Sequence, residues 1–206
     1  MNFLGHCYLC QDQMHLITGN LGGDFYKGNL DNFNHLPKHI QQGVKFHRFI
    51  DDFTDKSEQI LEVGHILQRN GVAKVSFIAC DILLDHYLAK NWNNYSNIPY
   101  SDFIQQIYAE VNRNIEHTES DFRFLFNKLQ EHGWFYDYPS IQGISQVLHQ
   151  YSHRLKFENQ LGMSSEVYSN NQKTIDSYFE TFLNEIKGPS QKSLYLPNTS
   201  IFRKLR

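Results

Sequence analysis

The stretch HRFIDDFTD, residues 47–55, combines an imidazole with carboxylates at helical spacing. Wound at about 100° per residue, His47, Asp51 and Asp55 fall within roughly 80° of one another. Ile40 and Val44 share that sector, so it should face a core. Burying unpaired charge costs several kcal/mol, and such groups need partners or a metal ion.

Three other stretches pose the same problem. In CDILLDHYLAKNW, residues 80–92, Asp85 lies about 40° and His86 about 140° round the helix from Asp81. Phe77, Ile78, Leu84 and Leu88 flank the two aspartates, so these carboxylates also point into an apolar sector. In GNLGGDFYKGN, residues 19–29, Asp24 sits among glycines, which permit close approach of another backbone or a ligand. Lys27 follows one turn later. His6 lies in NFLGHCYL, a short helix that is otherwise pure core.

Each residue alone has an ordinary explanation. A single inward histidine is usually a hydrogen-bonded core residue. A buried aspartate usually caps a helix or pairs with an arginine, for which Arg48 is the candidate. His47 and Asp51 could be a simple i, i+4 pair. Coincidence weakens when His6, Asp24, His47, Asp51, Asp81, Asp85 and His86 all come from inward-looking contexts. Gathered carboxylates repel unless a cation neutralises them. A divalent metal is the economical partner. Carboxylate and imidazole without thiolate suit Mn²⁺, Fe²⁺ or Mg²⁺ better than a thiolate-rich zinc site.

The elements that must position these groups are helices. No alternating apolar run is convincing, and helical periodicity predicts helices near 2–11, 16–28, 38–56, 58–70, 72–91, 101–116, 118–132, 139–155 and 171–187. Pro37 suits the first turn of the third helix, and Ser57 can cap the fourth. Gly71 breaks the chain before the fifth, and Lys187-Gly188-Pro189 reads as a stop. The expectation is an all-α, single-domain bundle over residues 1–188, followed by a polar C-terminal tail over 189–206 that ends in FRKLR.

Composition narrows the function classes. The chain of 206 residues carries 16 Phe, 12 Tyr and 11 His with a formal charge of −3, which gives no reason to expect a nucleic-acid binder. No run approaches the roughly 18 apolar residues of a membrane span, and the N-terminus does not read as a signal peptide. Three cysteines cannot close a disulfide framework, which favours a cytoplasmic location. Cys7 and Cys10 form a C-x-x-C pair without a βαβ context, so they read as buried thiols and not as a redox motif.

The ordered motifs MNFLGH, GNLGGDFYKGN, FHRFIDDFTD and CDILLDHYLAKNW resemble the acyl carrier protein phosphodiesterase family, also called acyl carrier protein hydrolyase. The likeness extends more weakly through WFYDYPSIQGISQVLHQYSHR, residues 134–154, and so covers about residues 1–160. It implies an all-helical, HD-like hydrolase that cleaves 4′-phosphopantetheine from the serine of holo-acyl carrier protein, with Mn²⁺ as the expected metal. Asp24, His47, Asp51, Asp81, Asp85, His86 and His6 occupy motif positions. The adjacent pair reads Asp85-His86, the reverse of the usual HD order, so the HD ligand assignment cannot be copied.

Combined with this resemblance, the residue chemistry gives an expected site. His47, Asp51, Asp85 and His86 would hold the metal, and Asp24 would complete the shell. Asp81 and His6 would orient ligands or relay a proton, while Arg48 and Lys27 would meet the diester's negative charge. Metal-activated water would attack phosphorus. An acidic carrier protein needs a basic surface near the metal, and Lys38, Lys45, Arg48, Arg154 and Lys156 are candidates for it. Two alternatives stay open: an HD-type phosphohydrolase for a nucleotide or other small diester, and a non-catalytic protein with a structural polar cluster.

Overall fold

A computed structural model describes residues 1–195, among which there are helices and no strands. The α-helices are α1 (Phe3–Leu9), α2 (Ile17–Leu21), α3 (Lys38–Asp55), α4 (Glu58–Arg69), α5 (Ser76–Lys90), α6 (Tyr100–Asn114), α7 (Ser120–His132), α8 (Trp134–Asp137), α9 (Ile141–Ser152), α10 (Ser164–Asn170) and α11 (Gln172–Tyr195). The all-α expectation holds.

The local signals act as their chemistry requires. The Ser57 hydroxyl accepts from the Ile60 amide at the start of α4, and the Ser140 hydroxyl accepts from Gly143 at the start of α9. Gly133, at φ 65°, supplies the left-handed residue that ends α7. Helix α5 is apolar on nearly every face. Ala79, Cys80, Leu83, Leu84 and Leu88 are all fully buried, so it forms the centre of the bundle. Helices α1, α4, α9, α10 and α11 pack around it.

Two expectations need correction. The helix expected over 16–28 ends at Leu21, and a 3₁₀ turn over Gly23–Phe25 carries Asp24. The reason is contact: a Cβ on Gly23 would lie 2.1 Å from the His47 ring, so the chain turns there against α3. The stop at Gly188-Pro189 is also overridden, because α11 runs through Pro189 to Tyr195. A proline inside a helix costs about 3 kcal/mol. Continuing the helix keeps Ile186 and Ser190 buried and packs Leu194 on the core, beside Leu16 and Phe46. The remainder of the expected tail, 196–206, lies outside the described residues.

Candidate metal centre

Helices α2 and α3 come together backbone to backbone. A Cβ on Gly19 would sit 2.1 Å from the Ile40 carbonyl oxygen, and one on Gly43 would sit 2.3 Å from the Leu16 carbonyl oxygen. Only glycine fits at either point. This approach brings the main chain of Asn20 against His47 on α3, whose Nδ1 lies 2.7 Å from the Asn20 carbonyl oxygen. Helix α1 lays His6 over the same place, with its ring stacked on that of His47 at 4.3 Å and 17°.

The two imidazoles present their Nε2 atoms to one carboxylate. Asp51 Oδ1 lies 3.2 Å from His6 Nε2, and Asp51 Oδ2 lies 2.9 Å from His47 Nε2. Asp24 Oδ1, on the 3₁₀ turn, is 3.4 Å from His47 Nε2. Donor atoms of His6, His47 and Asp51 all lie within 4.8 Å of one another, close enough to share one ion. His47 Nε2 is buried yet has no hydrogen-bond partner: the carboxylates are near enough for electrostatics but out of line for a hydrogen bond. A buried, unpartnered imidazole nitrogen beside two carboxylates is what a cation would complete.

The electrostatics agree. Burial opposes a charge on His47, but Asp24 and Asp51 outweigh it and hold its pKa up at about 9. Burial and the neighbouring His47 hold His6 below its ordinary value. Burial works against the Asp51 charge as well, yet His47 and His6 keep that carboxyl well below the usual carboxylate range. The neighbouring His47 lowers Asp24. Without a metal, the proton on His47 partly plays the part of a cation.

The other expected site residues are elsewhere. Asp85 is fully buried, and its carboxylate accepts from the Leu4 amide at 2.7 Å and the Gly5 amide at 2.9 Å. It caps α1 and thereby sets the helix that carries His6. His86 Nδ1 lies 2.7 Å from the Tyr138 carbonyl oxygen, and its ring stands edge-on to Tyr168. Neither residue joins the His6–His47–Asp51 group. In this structure Asp85 serves as a cap and His86 as a core contact, because backbone groups reach them first.

Asp81 takes the Met1 ammonium group at 2.8 Å. Arg48 meets no carboxylate; it donates to the Tyr26 carbonyl at 2.5 Å and clamps the turn that bears Asp24. Lys27 is exposed on the same segment, and Asp55 is exposed at the end of α3.

Sequence reasoning missed two residues. Asn20 is fully buried and bonds to both histidines; its signal was an amide at core spacing from Leu16, Ile17 and Leu21. Tyr151 on α9 is the other. Burial raises its hydroxyl pKa, Arg154 opposes the rise, and Asp24 and Asp81 lie close enough to add to it. Nothing in the local pattern around Tyr151 distinguishes it from core.

The family model described as acyl carrier protein phosphodiesterase matches residues 1–186. The chain belongs to the acyl carrier protein phosphodiesterase family. Among its relatives, an acyl carrier protein phosphodiesterase of Yersinia pestis is 28% identical over 183 residues, covering 88% of this chain and 93% of that protein. The protein of the same name from Pectobacterium atrosepticum is 30% identical over 155 residues, covering 75% of this chain and 79% of the relative. One from Salmonella agona is 29% identical over 155 residues, with the same coverage of 75% and 79%. No solved structure matches the chain. The cluster lies wholly inside the matched region.

Proposed function

We propose that this protein is a phosphodiesterase that removes 4′-phosphopantetheine from the serine of holo-acyl carrier protein, leaving the apo protein. Family membership supports the substrate. The observation that carries the chemistry is the convergence of His6 and His47 Nε2 on the Asp51 carboxylate, with His47 Nε2 unpartnered. We infer that His6, His47 and Asp51 hold a divalent metal, with Asp24 closing the set. Two nitrogens with carboxylate oxygens favour Mn²⁺ or Fe²⁺, and suit the oxygen-seeking Mg²⁺ least. A bound ion of this kind lowers the pKa of water and polarises a phosphoryl oxygen.

The chain's own residues supply the rest. Asp24 is 79% exposed in its side chain and kept ionised by His47, so it stands at the solvent side, placed to orient water or accept its proton. Arg48 holds the Asp24 turn in place and does not contact substrate in this reading. Arg154, stacked over Trp134 at 4.6 Å, is the cation we assign to the carrier. The chain is net negative, so attraction of an acidic carrier has to be local. Among the described residues no helix is long and apolar enough to cross a membrane. Cys7, Cys10 and Cys80 are buried and unpaired, and burial raises the pKa of all three thiols, which supports a cytoplasmic location.

Mass spectrometry of holo-carrier incubated with the enzyme and Mn²⁺ tests the assignment. The expected products are apo-carrier and free 4′-phosphopantetheine, with ¹⁸O from labelled water in the latter and none in the carrier serine. Chelator abolishes the reaction, and Mn²⁺ restores it better than Zn²⁺. Label in the serine, or pantetheine released without its phosphate, refutes attack at phosphorus with serine as leaving group. Turnover of a nucleotide diester in place of the carrier would move the protein to the small-substrate alternative.

A further inference from the structure

The side-chain amide of Asn20 has one allowed orientation. Its Nδ2 lies 2.8 Å from the His6 carbonyl oxygen and 3.0 Å from Cys10 Sγ. A carbonyl oxygen only accepts, so the atom facing it must be the amide nitrogen. The amide oxygen is then the atom 3.0 Å from His6 Nδ1, and it too only accepts. Hydrogen must therefore sit on His6 Nδ1. The main-chain oxygen of the same residue lies 2.7 Å from His47 Nδ1 and imposes the same condition there.

We propose that Asn20 is a positioning residue that fixes hydrogen on Nδ1 of both site histidines, one through its side chain and one through its main chain, so that in the neutral rings Nε2 is the nitrogen left to donate an electron pair beside Asp51. A neutral imidazole in water prefers its hydrogen on Nε2, which here would point at the Asp51 carboxylate and block the centre. Which nitrogen can ligate is set by the bond the other nitrogen makes. Asn20 is fully buried within the α2–α3 contact, where a Cβ on Gly43 would lie 2.7 Å from its main-chain nitrogen, so its position is held by main-chain packing. Cys10 acquires a role in the same network. Its sulfur is the second acceptor for the amide nitrogen and helps keep the amide from flipping. This explains one half of the C-x-x-C pair without redox chemistry.

The inference rests on the proposed metal reading only for its effect on metal binding, and its test separates the two. In metal-free protein labelled with ¹⁵N at the histidine imidazoles, neutral His6 shows a proton directly bonded to Nδ1 and none on Nε2. Asn20→Ala moves that proton to Nε2, and raises the dissociation constant for Mn²⁺ by roughly 10–100-fold, the usual effect of losing a partner that orients a ligand. Asn20→Asp keeps an acceptor and therefore keeps the proton on Nδ1. Cys10→Ala, which touches neither imidazole, gives the same shift to a smaller extent, and Cys10→Ser restores it. A proton on Nε2 of neutral His6 in the unaltered protein overturns the proposal even if no variant folds. So does Asn20→Ala with unchanged Mn²⁺ affinity. If the unaltered protein shows the Nδ1 proton and binds no Mn²⁺, the metal reading fails and the proton placement stands.

Discussion

Two polar clusters contain buried histidines, and they differ in where their last electron pairs point. In the first, His47 Nδ1 is taken by the Asn20 carbonyl while Nε2 stays buried and unpartnered among carboxylates. In the second, His86 Nδ1 is likewise taken by the Tyr138 carbonyl, but its ring faces Tyr168 and no carboxylate ion pair forms. The carboxylates differ in the same way. Asp51 spans two imidazoles, whereas Asp85 is spent on the Leu4 and Gly5 amides. Inward placement is common to both clusters. Only in the first do unspent donor atoms converge.

The largest effects should separate the two histidines. His47→Ala and Asp51→Ala are expected to lose bound metal and to lower kcat/KM by more than the roughly 10–100-fold typical of an outer partner. His86→Ala should keep its metal and lose stability alone. Metal analysis beside kinetics decides this, and a metal-free His86→Ala would break the contrast.

A smaller effect concerns the cap. Asp85→Ala leaves two buried amides without their acceptor and should cost about 2 kcal/mol in denaturant unfolding, with metal stoichiometry unchanged. The pH dependence sharpens the assignment. Burial outweighs the Gly5 and Leu4 amides and holds Asp85 up at about 7, against an ordinary value of 3.8. The fold therefore prefers the protonated form. Its contribution is complete below about pH 4 and is lost as pH rises through 7. Asp85→Asn should remove this slope, and a variant whose stability follows the unaltered protein from pH 4 to 8 would refute it.

The smallest effect is electrostatic. Rising salt should reduce kcat/KM for an acidic carrier, as the Debye length shrinks from about 10 Å at 0.1 M. Arg154→Glu should raise KM more than it lowers kcat. A salt-independent rate would remove Arg154 from substrate capture.

Much of this was readable in advance for physical reasons that can be named. Helical phase put His47 and Asp51 in the Ile40–Val44 sector, and the two do meet, with His47 buried and Asp51 39% exposed in its side chain. The glycines around Asp24 signalled close approach, and the structure brings Gly23 against the His47 ring. Phase could not separate Asp85 from Asp51, because it records neither burial nor partners: Asp85 is fully buried on two amides, whereas Asp51 is part-exposed between two imidazoles. Pro189 misled for the converse reason: a local penalty was outweighed by burial of Ile186, Ser190 and Leu194 along α11.

By itself the sequence determined the all-α class, the capped helix start at Ser57, and the residue types that could hold a cation. These depend on periodicity and on contacts within a few residues, which a linear pattern records. Only the tertiary structure decided that His6 stacks on His47, that Asp85 and His86 are spent on α1 and Tyr138, and that Asn20 bonds to both site histidines. Those outcomes turn on which backbone donor or acceptor arrives within about 3 Å, and that is set by how separate helices pack.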